Sequence, residues 1–177
     1  MVKKRKFAAY RAVERPYTRF SKKSKYNYVH ARPPCRIALF DTGNLQKPFE
    51  YSVYLVAKNS LQIRDLALES ARLSANRLLE KNLGKTGFRL KLMVYPHHVL
   101  RENPLASGAG ADRMSTGMQL SFGKTIGVAA QIKPGQRLFK CEVEKQHVEL
   151  ARKAMHRASF KLPCSYRVEW VQNTVPA

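Results

Sequence analysis

The sequence predicts an α+β fold: a mixed sheet with two helices, a long central loop and an extended basic N-terminal tail. Three observations predict it. Strand-type alternation and helix-type periodicity succeed one another twice, giving two strand–helix–strand units. Residues 101–127 follow neither period and hold five of the nine glycines. Twelve of the 33 basic residues lie in the first 36 positions, where Glu14 is the one acid.

Each element has its own warrant. Residues 35–40 read as a first strand, ended by a turn over residues 41–44. Residues 51–57, rich in valine and tyrosine, read as a second. Lys58-Asn59-Ser60 supplies N-cap chemistry for a long helix over residues 61–83, with Gly84 in the C′ position. Leu66, Ala71, Ala75, Leu78 and Leu79 lie on its apolar face, and Arg64, Asp65, Arg72 and Arg77 on its polar one. Over residues 88–94, Phe88, Leu90, Leu92 and Val94 alternate with Arg89 and Lys91. Strands at 127–132 and 137–143 flank Pro134-Gly135, which suits a type II turn. A second helix over residues 145–160 turns Val148, Ala151, Ala154, Met155 and Ala158 inward, and a last strand covers 165–171. The expected organisation is an N-terminal extension at 1–34, one domain at 35–172 with a projecting loop at 102–124, and a short tail at 173–177.

Composition narrows the function. The chain has 177 residues, is 44% apolar and carries a net charge of +21. That is enough apolar material for a core, and the charge calls for a polyanionic partner, RNA or DNA by default. No apolar run approaches the ~18 residues of a membrane span, and none follows Lys3–Lys6 to make a secretory signal. Cys35, Cys141 and Cys164 lie far apart without CxxC spacing, as reduced intracellular thiols do. Phe7, Tyr10, Tyr17, Phe20, Tyr26 and Tyr28 are interleaved with the basic tail. Cations neutralise phosphates, and aromatic faces stack on bases.

The motifs that could carry chemistry do not assemble into a site. Gly123-Lys124-Thr125 resembles the end of a phosphate-binding loop, but Gly117 is one residue out of place and a strand follows instead of a helix. Gly108-Ala-Gly110 lacks the third glycine of a dinucleotide motif. His97-His98 have Glu102 as their one close carboxylate and no metal-ligand spacing. The sequence therefore predicts no catalytic residue, metal or cofactor.

Ser107-Gly-Ala-Gly-Ala-Asp-Arg113, Gly117-Met118 and Phe122-Gly123-Lys124 carry a resemblance. So do Pro16-Tyr17-Thr18-Arg19, Phe40-Asp41-Thr42-Gly43-Asn44, the run Tyr95–Asn103 and Lys161-Leu162-Pro163. Over nearly its whole length the chain resembles the large-ribosomal-subunit protein family called L sixteen in bacteria and L ten-e in archaea and eukaryotes. Its pattern is the archaeal/eukaryotic one, the bacterial branch having a shorter central loop. The resemblance implies an α/β-hammerhead fold and a non-enzymatic role in the large subunit of cytoplasmic ribosomes. It implies binding to large-subunit rRNA near the central protuberance and the 5S rRNA, among other large-subunit proteins. Loop 102–124 would point toward the peptidyl transferase centre, beside tRNA acceptor arms. The expected rRNA-binding residues are Lys3, Lys4, Arg5, Lys6, Arg11, Arg15, Tyr17, Arg19, Lys22, Lys23, Lys25, Arg32, Arg101 and Lys124. The expected tRNA-proximal residues are Ser107, Gly108, Gly110, Asp112, Arg113, Gly117 and Met118. The chain departs from the family pattern at Gln119, where arginine is usual, and residues 21–28 are more basic than is usual. Two other readings compete: an RNA-processing or RNA-modifying enzyme using His97, His98, Asp112 and Arg113, and a free-standing RNA chaperone or translation factor.

Overall fold

The computed structural model describes residues 8, 10–18, 23–26, 33–103, 108–114, 117–120 and 122–173. Among these residues eight strands form in chain order: β1 (Asp41–Gly43), β2 (Tyr51–Ala57), β3 (Leu61–Arg64), β4 (Arg89–Leu92), β5 (His98–Glu102), β6 (Lys124–Ile132), β7 (Arg137–Val143) and β8 (Tyr166–Gln172). Two long helices, α1 (Asp65–Leu83) and α3 (Val148–Ser159), lie between them, and a single turn of helix, α2 (Ala111–Met114), sits in the loop. The class is α+β, as the sequence predicts. The sheet divides in two: a five-stranded sheet ordered β1-β4-β7-β2-β8 and a three-stranded sheet ordered β3-β6-β5. Every ladder among the described residues is antiparallel, so the parallel pairs that a mixed sheet calls for are not found there.

One core joins the helices to both sheets. Leu68, Ala71, Ala75 and Leu79 of α1 and Ala151, Ala154, Met155 and Ala158 of α3 pack with Val53, Leu55, Leu90, Phe139 and Cys141. Leu61, Ile63, Ala130 and Ile132 of the smaller sheet join the same core. Alanines on the facing sides of α1 and α3 remove bulk where the helices meet, so that their backbones approach closely. Complete burial pushes the Cys141 thiol far above its usual pKa, leaving it an inert core group.

Several boundaries differ from the sequence reading. Residues 35–40 are not a strand. The three residues after them, expected as a turn, form β1 against Lys91, Leu90 and Arg89. The long helix begins at Asp65, because residues 61–64 instead pair with Ile132–Ala129 as β3. Asp65 is buried in the first turn of α1. Its carboxylate accepts the Leu66 N–H at 2.8 Å and the Arg36 N–H at 3.1 Å, favourable at the positive end of a helix. Arg72, assigned to the polar face, is buried and makes a two-point pair with Glu69 at 2.6 and 2.9 Å. Leu66 and Leu78 are only partly buried, whereas Leu90, Val94, Val128 and Met155 are in the interior. β5 was not foreseen. The Pro134-Gly135 turn forms as read, with Gly135 at φ 77° and the Gln136 N–H donating to the Lys133 carbonyl at 3.2 Å.

Candidate nucleic-acid interface

Residues 10–18 are not a free tail. They run as a strap across the three-stranded sheet, on the side away from the main core. Tyr10 is 9% exposed and packs on Leu100 and Ala129, with Ile126 beside them. Gln62 of β3 donates its amide N–H to the Ala12 carbonyl, and Gln131 of β6 donates to the Glu14 carbonyl at 2.9 Å. The Arg64 guanidinium lies over the Tyr10 ring at 5.1 Å. At the end of the strap the Tyr17 N–H donates to His98 Nδ1 at 2.9 Å, and its carbonyl accepts the Val99 N–H at 2.6 Å. Burial depresses the His98 pKa; Glu14 opposes this and Arg101 adds to it. A neutral ring with Nδ1 as acceptor is what this hydrogen bond requires.

The strap meets the neck of the loop at Arg101. This guanidinium sits 3.9 Å from the centroid of Phe122 and 4.6 Å from that of Tyr17. The two rings meet edge to face at 5.3 Å, and Arg101 Nη1 donates to the Phe122 carbonyl at 3.3 Å. Arg101 is thus a clamp between two aromatic rings. Glu102 pairs with Lys124 in register, closing the neck, and the ladder shifts between Leu100 and Arg101. Gly123 has φ 89°, and a Cβ there would lie 2.9 Å from the Glu102 carbonyl carbon, so the neck closes only around glycine. The Gly123-Lys124-Thr125 run therefore leads into a strand, as the sequence reading required.

Beyond the neck the loop folds back on itself. The Ala111 N–H donates to the Gly108 carbonyl and the Arg113 N–H to the Gly110 carbonyl, both at 3.2 Å. Asn103 Nδ2 donates to the Gly117 carbonyl at 3.2 Å, tying the neck to a second turn over Gly117–Leu120. Helical turns rise ~1.5–2 Å per residue against ~3.3 Å for a strand, so the loop reaches less far than an extended hairpin would.

The expected contact residues fall into three groups. Arg11, Arg15, Lys23, Lys25, Arg113 and Lys124 are exposed, as are Gly108, Gly110 and Met118. Arg11, Arg15, Arg113 and Lys124 make no ion pair with a described residue. Tyr17 and Arg101 are half-buried in the clamp, and Gly117 is partly covered. Lys3, Lys4, Arg5, Lys6, Arg19, Lys22, Arg32 and Ser107, together with the Asp112 side chain, lie outside the described residues and atoms. Sequence reasoning missed the strap and the pairing role of Arg101. The Tyr10 and Tyr17 spacing was its one visible signal. His97 lies against Tyr95, centroids 4.7 Å apart, and His98 is buried, so the two histidines do not share a site. No cluster of three metal-ligating side chains occurs among the described residues, and no helix is long and apolar enough to cross a membrane.

Unpaired cations on a strap and an anchored loop are the arrangement expected of a polyanion-binding protein. The chain belongs to the ribosomal protein L16p/L10e family, whose model matches residues 15–169. It is 47% identical over 156 residues to the large ribosomal subunit protein uL16 of Methanocella arvoryzae, covering 87% of this chain and 91% of that one. It is 42% identical over 159 residues to uL16 of Archaeoglobus fulgidus, covering 90% and 88%, and 41% identical over 163 residues to uL16 of Methanoculleus marisnigri, covering 91% and 95%. The chain is accordingly an archaeal-type structural protein of the large ribosomal subunit and not an enzyme. This sets aside the RNA-modifying reading of His97, His98, Asp112 and Arg113.

Proposed function

We propose that this protein binds large-subunit rRNA through its basic N-terminal extension and strap, near the central protuberance and the 5S rRNA. Loop 102–124 then helps position tRNA acceptor arms near the peptidyl transferase centre. The observation that carries this reading is the neck of the loop. Arg101, Tyr17, Phe122 and Gly123 lock the loop base to the strap, while Gly108, Gly110, Arg113 and Met118 beyond it stay exposed. A loop held rigidly at its root and unburied at its apex serves to present groups to a partner. In this division of labour Arg11, Arg15, Lys23 and Lys25 meet rRNA phosphate, Lys124 docks the neck, and Arg113 faces the tRNA end. Arg101 acts as a positioning residue and not chiefly as a phosphate ligand.

The test is Arg113→Ala in reconstituted large subunits. Occupancy by mass spectrometry should be unchanged, and tRNA affinity by filter binding or the rate of peptide-bond formation should fall several-fold, as loss of one charge-assisted contact does. Normal occupancy with wild-type affinity and rate would leave the loop as rRNA packing alone.

A further inference from the structure

We propose that the outer surface of α1 and α3 is a second RNA-binding site, which takes a single-stranded or bulged segment by stacking one base on Phe160. This deepens the rRNA-binding reading and rests on it. Phe160 follows the last residue of α3 and is 73% exposed. A ring so placed contributes little to the core, and leaving it in water is unfavourable. It is braced edge to face by His156, ring centroids 4.8 Å apart. Two surface grooves, of about 610 and 530 Å³, meet at Arg157 and Phe160. Arg77 and Lys161 line one, and Lys153 lines the other.

The charge around the ring is one-sided. Glu149 is the single acid lining the two grooves, and it is taken by Arg152 at 2.7 Å. Arg77, Lys153, Arg157 and Lys161 make no ion pair with a described residue. Helix propensity and the negative end of α3 account for cations in its last turn, but not for an exposed phenyl ring among them. An unstacked nucleotide uses both features: its base covers the ring, and its flanking phosphates meet the cations. A duplex offers only phosphates and sugar edges and leaves the ring bare. An acidic peptide would use the cations alone.

The measurement is binding of the full chain to a short oligouridine and to an RNA duplex, at raised salt. There the phosphate contacts of the strap and tail fade while stacking persists. Phe160→Ala should weaken oligouridine binding by roughly 5- to 100-fold, the usual effect of one lost base–aromatic stack, and leave duplex binding within about twofold. Phe160→Trp should keep the affinity, and its added emission should be quenched by bound oligouridine. Arg157→Ala should flatten the dependence of log K on log salt by about one unit. Unchanged oligouridine affinity in Phe160→Ala, with wild-type protein still binding RNA, would overturn this site and leave the proposed function standing. So would absence of quenching in Phe160→Trp, or an Arg157→Ala defect confined to polyglutamate binding, which would make the surface a dock for an acidic protein. Failure of the wild-type chain to bind any RNA at low salt would instead remove the proposed function itself.

Discussion

The outer face of the five-stranded sheet and the strap-and-loop region are built from the same kinds of side chain and use them in opposite ways. On the sheet, Arg89 and Lys140 converge on Glu142 at 3.5 and 2.5 Å, and Arg89 and Lys91 approach Asp41 at 3.7 and 3.8 Å. Register makes this possible: Arg89 lies opposite Glu142, and Asp41 opposite Lys91. Two carboxylates thus offset most of the charge of these three cations within the fold. On the strap and loop, Arg11, Arg15, Arg113 and Lys124 have no such partner among the described residues, and Arg101 is held by aromatic rings. An arginine on a ring face leaves a net positive charge, whereas an arginine paired with a carboxylate forms a neutral pair. Among the described residues, the strap, the loop and the α1–α3 face thus each carry cations without a carboxylate partner.

Removing the strap's anchor should have the largest effect. Tyr10→Ala takes a buried ring from between Leu100 and Ala129, and should cost about 3 kcal/mol of stability in urea unfolding. An ordinary stability would mean that residues 10–18 do not pack on the sheet. Arg101→Ala tests the clamp. It should cost about 1–2 kcal/mol through two lost cation–π contacts and barely alter the salt dependence of RNA binding. The reverse pattern, intact stability with a slope lower by about one unit, would make Arg101 a phosphate ligand like its unpaired neighbours. Glu142→Gln should cost about 1 kcal/mol and steepen the salt dependence of RNA binding, because Arg89 and Lys140 lose their partner. A slope unchanged by Glu142→Gln would show that this face stays away from RNA even when its cations are free.

The smallest effect concerns pH. The His98 pKa is depressed in the folded state, so its neutral ring contributes stability above the unfolded value of 6.5. That stability is lost as pH falls through the lower folded value. The free energy of unfolding should therefore decline as pH is lowered from 7 toward 5, and the decline should be shallower in His98→Asn, whose amide oxygen can still accept the Tyr17 N–H. Glu69 acts in a lower window: its hydrogen bond with Arg72 depresses its pKa below 4.5, so its contribution fades only in stronger acid.

At several places where period and turn chemistry act locally, the sequence was enough. Alternation placed Phe88, Leu90, Leu92 and Val94 inside, the spacing of Ala151, Ala154, Met155 and Ala158 marked the buried side of α3, and Gly84 and Pro134-Gly135 punctuated the chain where expected. The motif Ser107–Arg113 with its companions identified the family, and the excess of lysine and arginine announced a polyanion. Tertiary structure decided the rest, because the deciding partners lie far away in the chain. Leu61–Arg64 fits a helix as readily as a strand until β6 offers it a ladder. His98–Glu102 becomes β5 only because β6 returns beside it across the loop. Arg72 leaves the polar face because Glu69 lets its charge be buried. Whether a cation is spent inside the fold or left for RNA depends on which carboxylate or ring the folded backbone brings within about 4 Å, where the attraction of opposite charges becomes large, and one-dimensional spacing does not contain that distance.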